Sequence, residues 1–396
     1  MSHFKHIWKL ALLSFIIAGI TGFIYRYGML NPLPDWLHFA NIRHAHSHLM
    51  FFNWVCPPIM VWMTMQLVSK SDVSKVRRFN WCLYTMLFLG FLSYPFFLLY
   101  GYRSVHIGPA SMPLAAIISG LVMITWYWFA WLYYRERKNA ENTLPLTLFD
   151  SALLALIISS LGAWGVSVFQ FTNVDSPLIA SAMTHFFLAV FTEGFTVTGL
   201  LGIMWCISDP GKLSVKSGWL WIPILFGSMM IFPFSLAQSL VSPAMLITGT
   251  IGFILISVSL LIHLFHFIKS GGFSGFLWKT VITLIAVKIL FQIAAIFPAD
   301  IWPGEHGLRV LYLHVLLLGI LSVIFIEVYL PGIGHFAKIF FTFTTLMVIA
   351  TLVMISGYWP PAFTPGNIYI WVMLASILPV LPSLRLFQLS FRIHEK

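Results

Sequence analysis

The feature that most constrains this chain is a series of long apolar segments, separated by loops too short to form a soluble domain. A bilayer core requires about 20 apolar residues per helix. The pattern therefore predicts an all-α polytopic membrane protein, with twelve transmembrane helices in a single domain spanning residues 1–396. The twelve segments cover residues 8–28, 44–68, 79–101, 109–133, 147–170, 178–207, 219–240, 244–269, 276–298, 308–330, 335–357 and 366–390.

The composition excludes a soluble protein. Hydrophobic residues make up 59% of the chain and charged residues only 9%, whereas soluble domains carry about 25% charged residues. The formal charge of +10 indicates no nucleic-acid partner, because basic residues accumulate in the cytoplasmic loops of membrane proteins. Membrane lipid is the expected environment, and the three cysteines form neither a C-x-x-C pair nor a haem-attachment motif.

The distribution of Lys and Arg predicts the orientation of the helices. With the N-terminus inside, only four of these residues fall on the outer side, and one more, Lys288, lies within a segment. The other Lys and Arg residues fall on the inner side. This distribution predicts that both termini are cytoplasmic. The N-terminal segment is long enough to span and is interpreted as a retained helix. The four outer residues are Arg26, Arg43, Arg103 and Arg309.

Ionisable residues inside a membrane are candidate functional residues by default. With the predicted orientation, the histidines of the second, sixth and tenth segments lie within several Å of one layer in the outer half, which is what a site between helices requires. Glu193 lies deeper on the sixth segment and Lys288 lies within the ninth. The histidines are His44, His46, His48, His185 and His314.

The spacing of the three histidines in RHAHSHLMFF, residues 43–52, divides them between two helix faces. His44 and His48 are four residues apart and share a face, whereas His46 points about 200° away at about 100° per residue. Either His46 faces one cofactor while the other two face another partner, or the first turn is irregular. A water-facing role stays open for His44, and a packed core role for His185. His263 and His266 are expected to reach the cytoplasmic interface.

Two segments resemble the corresponding helices of subunit I of the haem–copper oxidases. The second segment reads HSHLMFFNWVCPP from His46, and the tenth reads LYLHVLLLGILS around His314. The resemblance implies a haem–copper oxidase subunit I-like bundle in which these two histidines are the axial ligands of a low-spin haem b. Tyr312 occupies the position at which members of this family have the histidine that ligates the high-spin haem.

The sixth segment, THFFLAVFTEGFTVTGLLG, is similar to the helix of the nitric-oxide reductase branch that carries a metal-binding histidine and a glutamate. Here Glu193 follows His185 by about 12 Å along a straight helix, so one ion binds both only if a π-bulge or kink intervenes. The seventh segment lacks the family's histidine pair. The chain is also similar to the NnrS family, implicated in nitric-oxide stress, in size and in its histidine-rich helix start.

The resemblance implies a haem-b protein of the bacterial inner membrane that acts in electron transfer or in handling nitric oxide or oxygen. Its electron donor would be a quinol, a cytochrome c or a partner subunit. Arg43 and Arg309 flank the ligand segments and are expected either to contact the haem propionates or to anchor the helices at the interface. A conventional binuclear centre is not expected.

Three other functions stay open. One is a reductase, that is, an oxidoreductase acting on a diatomic gas. Its second metal would be copper or non-haem iron, bound by His185, Glu193, His44 and His48. Another is a metal transporter that uses the same histidines. The third is a structural or assembly protein without a cofactor.

Overall fold

The computed structural model describes residues 2–69, 71–172, 176–208, 216–296 and 306–392. These residues form twelve main helices, and ten of the helices are long and apolar enough to cross a membrane. The chain is therefore an all-α, multi-pass membrane protein whose outer surface contacts lipid. The helices are α1 Lys5–Tyr27, α2 39–67, α3 Val73–Tyr100, α4 Leu114–Arg137, α5 Leu144–Phe171, α6 Pro177–Ile207, α7 Gly218–Met230, α8 Pro243–Lys269, α9 Phe276–Ile296, α10 Gly307–Tyr329, α11 His335–Met354 and α12 Ile368–Phe391.

The predicted count of twelve spans is not confirmed, because α2 and α7 are not among the ten. Helix α2 is continuous over residues 39–67, but Asn53, the prolines at 57 and 58 and Gln66 make its apolar part less hydrophobic than the other spans. Helix α7 has only 13 residues. It is followed by two 3₁₀ turns, Phe232–Ser235 and Gln238–Leu240, instead of the continuous helix expected over 219–240.

Several helices begin at residues whose side chains satisfy exposed backbone N–H groups. Ser176 accepts from the N–H of Ile179 before α6, and Ser242 accepts from the N–H of Met245 before α8. Each serine is followed by a proline at the first helical position, where the missing N–H of proline costs nothing. These local signals explain why the starts of α6 and α8 agree closely with the sequence prediction.

The loop between α3 and α4 contains a short antiparallel hairpin. Strand β1, Val105–Ile107, pairs with β2, Ala110–Met112. Gly108 in the connecting turn has a φ of 60°, a conformation that glycine adopts without steric cost. The hairpin follows Tyr102 along the chain, and the Tyr102 side chain contacts His44 and His48 at the start of α2.

The chain forms two compact units. The first comprises residues 1–140 and 325–396, and the second comprises residues 141–324. His44, His46 and His48 belong to the first unit, whereas His185, Glu193 and His314 belong to the second. The prediction of a single domain stays a prediction.

Aromatic side chains pack the first unit. The rings of Trp8 and Tyr329 stack with centroids 4.5 Å apart, and the ring of Trp54 lies 5.3 Å from that of Trp8. The Tyr329 hydroxyl donates to the carbonyl of Pro58 at 2.6 Å. This cluster joins α1, α2 and the end of α10, so α2 is firmly packed within the unit.

Three helices contain a π-helical segment, in which the backbone takes up an extra residue per turn. These segments are Met50–Val55 in α2, Val190–Val197 in α6 and Val315–Leu321 in α10. They lie in the three helices that carry the candidate histidines, and the segment of α10 begins directly after His314. π-segments are frequent at functional sites. Their positions therefore indicate the same three helices, α2, α6 and α10, in which the candidate histidines lie.

Candidate functional site

His46 faces α1, within the first unit. Its Nδ1 donates to the carbonyl of Ala18 at 2.7 Å. A Cβ atom at Gly22 would lie 3.2 Å from Cε1 of this imidazole, so the absence of a side chain at Gly22 allows the ring to approach α1. A proton on Nδ1 leaves the lone pair on Nε2, the nitrogen through which such a histidine ligates a metal.

His44 and His48 lie on the other face of α2, as the spacing in the sequence predicted. The ring of His48 stacks on Phe97 of α3 with centroids 3.9 Å apart, and its Nε2 lies 3.0 Å from the hydroxyl of Tyr102. The ring of His44 packs edge-on against Tyr102. Burial raises the pKa of Tyr102 to about 12, so its phenol stays protonated at neutral pH.

His314 lies at the end of the regular first part of α10, in the second unit. Its Nδ1 donates to the carbonyl of Val310, one turn earlier, at 2.7 Å. His314 and His46 therefore share a feature that the sequence did not predict. In both residues Nδ1–H donates a hydrogen bond to a main-chain carbonyl, and Nε2 is the ring nitrogen that carries the lone pair.

The two predicted propionate-binding arginines differ in their surroundings. Arg43 is exposed at the start of α2. Arg309 is partly buried, and its Nη1 donates to the carbonyls of Ser235 at 2.7 Å and Leu236 at 3.4 Å. Arg309 thus connects the start of α10 to the 3₁₀ turn after α7. Binding of a haem propionate would be a second role of this side chain, in addition to this structural contact.

The most deeply buried charges form an ion pair in the second unit. The ammonium of Lys288 on α9 lies 2.7 Å from Oε1 of Glu193 on α6, and both side chains are only 1% exposed. Glu193 lies in the π-segment Val190–Val197. A buried charge requires a partner, and the two opposite charges within segments of the sequence were the signal that could have predicted this pair.

Tyr312 and Gln292 complete the hydrogen bonding of this ion pair. The phenol oxygen of Tyr312 accepts from Lys288 and, at 2.8 Å, from Nε2 of Gln292. Gln292 also donates to Oε2 of Glu193 at 3.4 Å, and its own carbonyl accepts from Ser257 at 3.0 Å. The cluster joins four helices, α6, α8, α9 and α10, through polar groups that satisfy one another.

This cluster bears on the alternative in which a second metal is bound by His185, Glu193, His44 and His48. Both carboxylate oxygens of Glu193 accept hydrogen bonds within the protein, and Tyr312 interacts with the same lysine. His185 is partly exposed in the regular part of α6, before the π-segment. Within the described ranges, no group of three or more His, Cys, Asp or Glu side chains is close enough together to bind one metal ion.

A small apolar cavity of about 20 Å³ adjoins Lys288. Val197 from the π-segment of α6, together with Leu316 and Ile320 from that of α10, contributes to its lining. A volume of this size accommodates about one water-sized molecule. The walls are almost entirely apolar, so the cavity favours a small apolar molecule over water.

One expectation about the histidines was wrong. His263 does not reach the interface, because its side chain is fully buried. Its Nδ1 accepts from the indole N–H of Trp205 at 2.9 Å, and its Nε2 donates to the carbonyl of Leu220 at the same distance. Both nitrogens are used, so His263 is a structural residue that joins α6, α7 and α8.

Comparison with known proteins adds no assignment. No protein-family model matches the chain, and no curated protein sequence matches it.

Proposed function

We propose that this protein binds one low-spin haem b through His46 and His314 and acts in electron transfer or in handling a diatomic gas such as nitric oxide or oxygen. The observation that carries the proposal is the shared hydrogen bonding of the two histidines. Each donates Nδ1–H to a main-chain carbonyl, which orients the ring and places the lone pair on Nε2, as in most metal-ligating histidines.

The residues around each histidine are compatible with this role. The donor set is two neutral imidazoles, which suits a haem iron in an apolar environment. Gly22 provides the space in which His46 approaches the carbonyl of Ala18. His46 belongs to the first unit and His314 to the second. The proposal that both ligate one iron therefore rests on the sequence patterns of the second and tenth segments. A bound haem would supply one-electron transfer, and the chain would supply ligands, orientation and an apolar surround.

The remaining parts of the proposal come from the resemblance. We propose a divergent member of the haem–copper oxidase subunit I superfamily with twelve spans in the bacterial inner membrane, and a quinol, a cytochrome c or a partner subunit as electron donor. We expect no conventional binuclear centre, because Glu193 and Tyr312 are bound to Lys288 and Gln292. The cavity beside Lys288 supports the handling of a small gas.

The visible spectrum of the purified protein tests the proposal. We expect a low-spin haem b spectrum that is lost in His46→Ala and in His314→Ala, because one remaining imidazole leaves the iron high-spin or unbound. His38→Ala is the matched control, since His38 is an exposed histidine at the start of α2. An unchanged low-spin spectrum in the His46→Ala/His314→Ala double variant would refute the assignment.

Metal analysis and turnover assays separate the alternatives. Stoichiometric copper or non-haem iron together with reduction of nitric oxide or oxygen would establish the reductase with an unusual second metal site. Transport of a metal ion by haem-free protein would establish a transporter. Protein that contains neither haem nor metal and transports nothing would indicate a structural or assembly role.

A further inference from the structure

We propose that His44 and His48 bind one divalent first-row transition-metal ion, such as Cu²⁺ or Zn²⁺, at the start of α2. This site is separate from the proposed haem site, because His44 and His48 face α3 and Tyr102 whereas His46 faces α1. The proposal therefore does not depend on the haem assignment.

The rings of His44 and His48 lie near each other on one face of α2. His44 and His48 are one turn apart on α2, and their ring centroids lie 6.4 Å apart. Metal–imidazole bonds are about 2.0–2.1 Å long, so two rings at this separation reach one ion when a nitrogen of each ring points at it from opposite sides. Side chains on a helix lean towards its N-terminus, over the preceding turn, and this direction brings the ring of His48 towards His44.

His48 has a nitrogen whose hydrogen bonding is unsatisfied. Nδ1 of His48 is shielded from solvent and has no hydrogen-bond partner among the described residues. A buried polar atom without a partner is uncommon and indicates a missing ligand, such as a water or an ion. In the tautomer with the proton on Nε2, that nitrogen donates to the Tyr102 hydroxyl and Nδ1 carries a lone pair available to a cation.

Two neighbouring side chains fix the orientation of the His48 ring. Its ring stacks on Phe97 at an interplanar angle of 8°, and its Nε2 bonds to the hydroxyl of Tyr102. A ligand histidine whose second nitrogen is hydrogen-bonded and whose ring is fixed by packing is typical of metal sites. Tyr102 acts here as a positioning residue.

The donor set indicates the class of ion. Imidazole nitrogens suit Zn²⁺, Cu²⁺ and Ni²⁺, whereas Ca²⁺ and Mg²⁺ prefer oxygen ligands. Two protein nitrogens leave the other coordination positions to water or to a small exogenous ligand. His44 is partly exposed, so one side of the proposed site is open to the surroundings of the protein.

Equilibrium dialysis of the full-length protein in detergent against Cu²⁺ or Zn²⁺, in competition with a chelator, tests the site. We expect one tight equivalent, and Cu²⁺ electron paramagnetic resonance should show nitrogen hyperfine structure from imidazole. His44→Ala and His48→Ala should each weaken the binding at least about tenfold, because each removes a ligand. Tyr102→Phe should weaken it by about 10–100-fold, the usual effect of losing a partner of a ligand histidine.

Two matched variants separate this site from other histidines. His38→Ala, an exposed histidine at the start of the same helix, and His46→Ala, on the opposite face, should both retain the tight equivalent. Metal binding that is unchanged in the His44→Ala/His48→Ala double variant would overturn the proposal, as would the absence of a tight equivalent from the wild-type protein. Failure of the haem assignment would instead appear as a missing haem spectrum with this metal site intact.

Discussion

Removing the ammonium of Lys288 should destabilise the protein strongly. Lys288→Met is the chosen change, because methionine has a similar length and lacks the charge. The structure places Glu193 at 1% exposure with Lys288 as its ion-pair partner at 2.7 Å, so the variant leaves an uncompensated carboxylate in an apolar interior. Breaking a buried pair in this way costs about 3–5 kcal/mol, and in Lys288→Met the Tyr312 phenol oxygen also loses one of its two donors.

The double variant Glu193→Gln/Lys288→Met should recover most of this loss, since neither buried charge then remains. Replacing both members of a buried pair is often neutral or stabilising. The free energy of unfolding in mixed micelles, followed by tryptophan fluorescence, measures both effects. Asp72→Asn is a control that breaks the Lys75–Asp72 pair at an exposed helix start and should have no measurable effect. A single variant as stable as the wild type, or a double variant less stable than the single one, would show that the buried ion pair does not determine the stability in this way.

Three further changes should have measurable effects. Tyr312→Phe should lower the free energy of unfolding by about 1–3 kcal/mol, because it removes the phenol oxygen that accepts from two buried donors. Gly90→Ala should lower the melting temperature, since its Cβ atom would collide with the buried amide of Asn53. Arg309→Gln should lower the reduction potential of the proposed haem in a potentiometric titration, because a nearby cation favours reduced iron; an unchanged potential would refute a role of Arg309 towards the propionates.

The apolar segments of the sequence predicted most of the fold, because helix length in a membrane follows directly from bilayer thickness. The prediction was least accurate for α7. Its apolar composition was right, but Pro233 and the residues around it end the regular helix and form 3₁₀ turns. Apolar composition alone does not show where a helix ends when the following residues pack inside the protein.

The candidate site was predicted in part. The spacing of His44, His46 and His48 correctly predicted two faces of α2. The ion pair between Glu193 and Lys288 was not predicted, because its members are 95 residues apart and a single sequence contains no direct information on which helices are neighbours. The π-segments were also missed as a group, since no local sequence signal distinguishes them from regular apolar helix.

We propose His46 and His314 as the axial ligands of one low-spin haem. The most direct measurement is the electron paramagnetic resonance spectrum of the oxidised His314→Gly variant, with and without added imidazole. We expect a low-spin ferric signal in the wild type, a high-spin signal in the variant, and recovery of the low-spin signal when free imidazole fills the vacated position. A low-spin signal in His314→Gly without imidazole, or no haem signal in the wild-type protein, would contradict axial ligation by the two histidines.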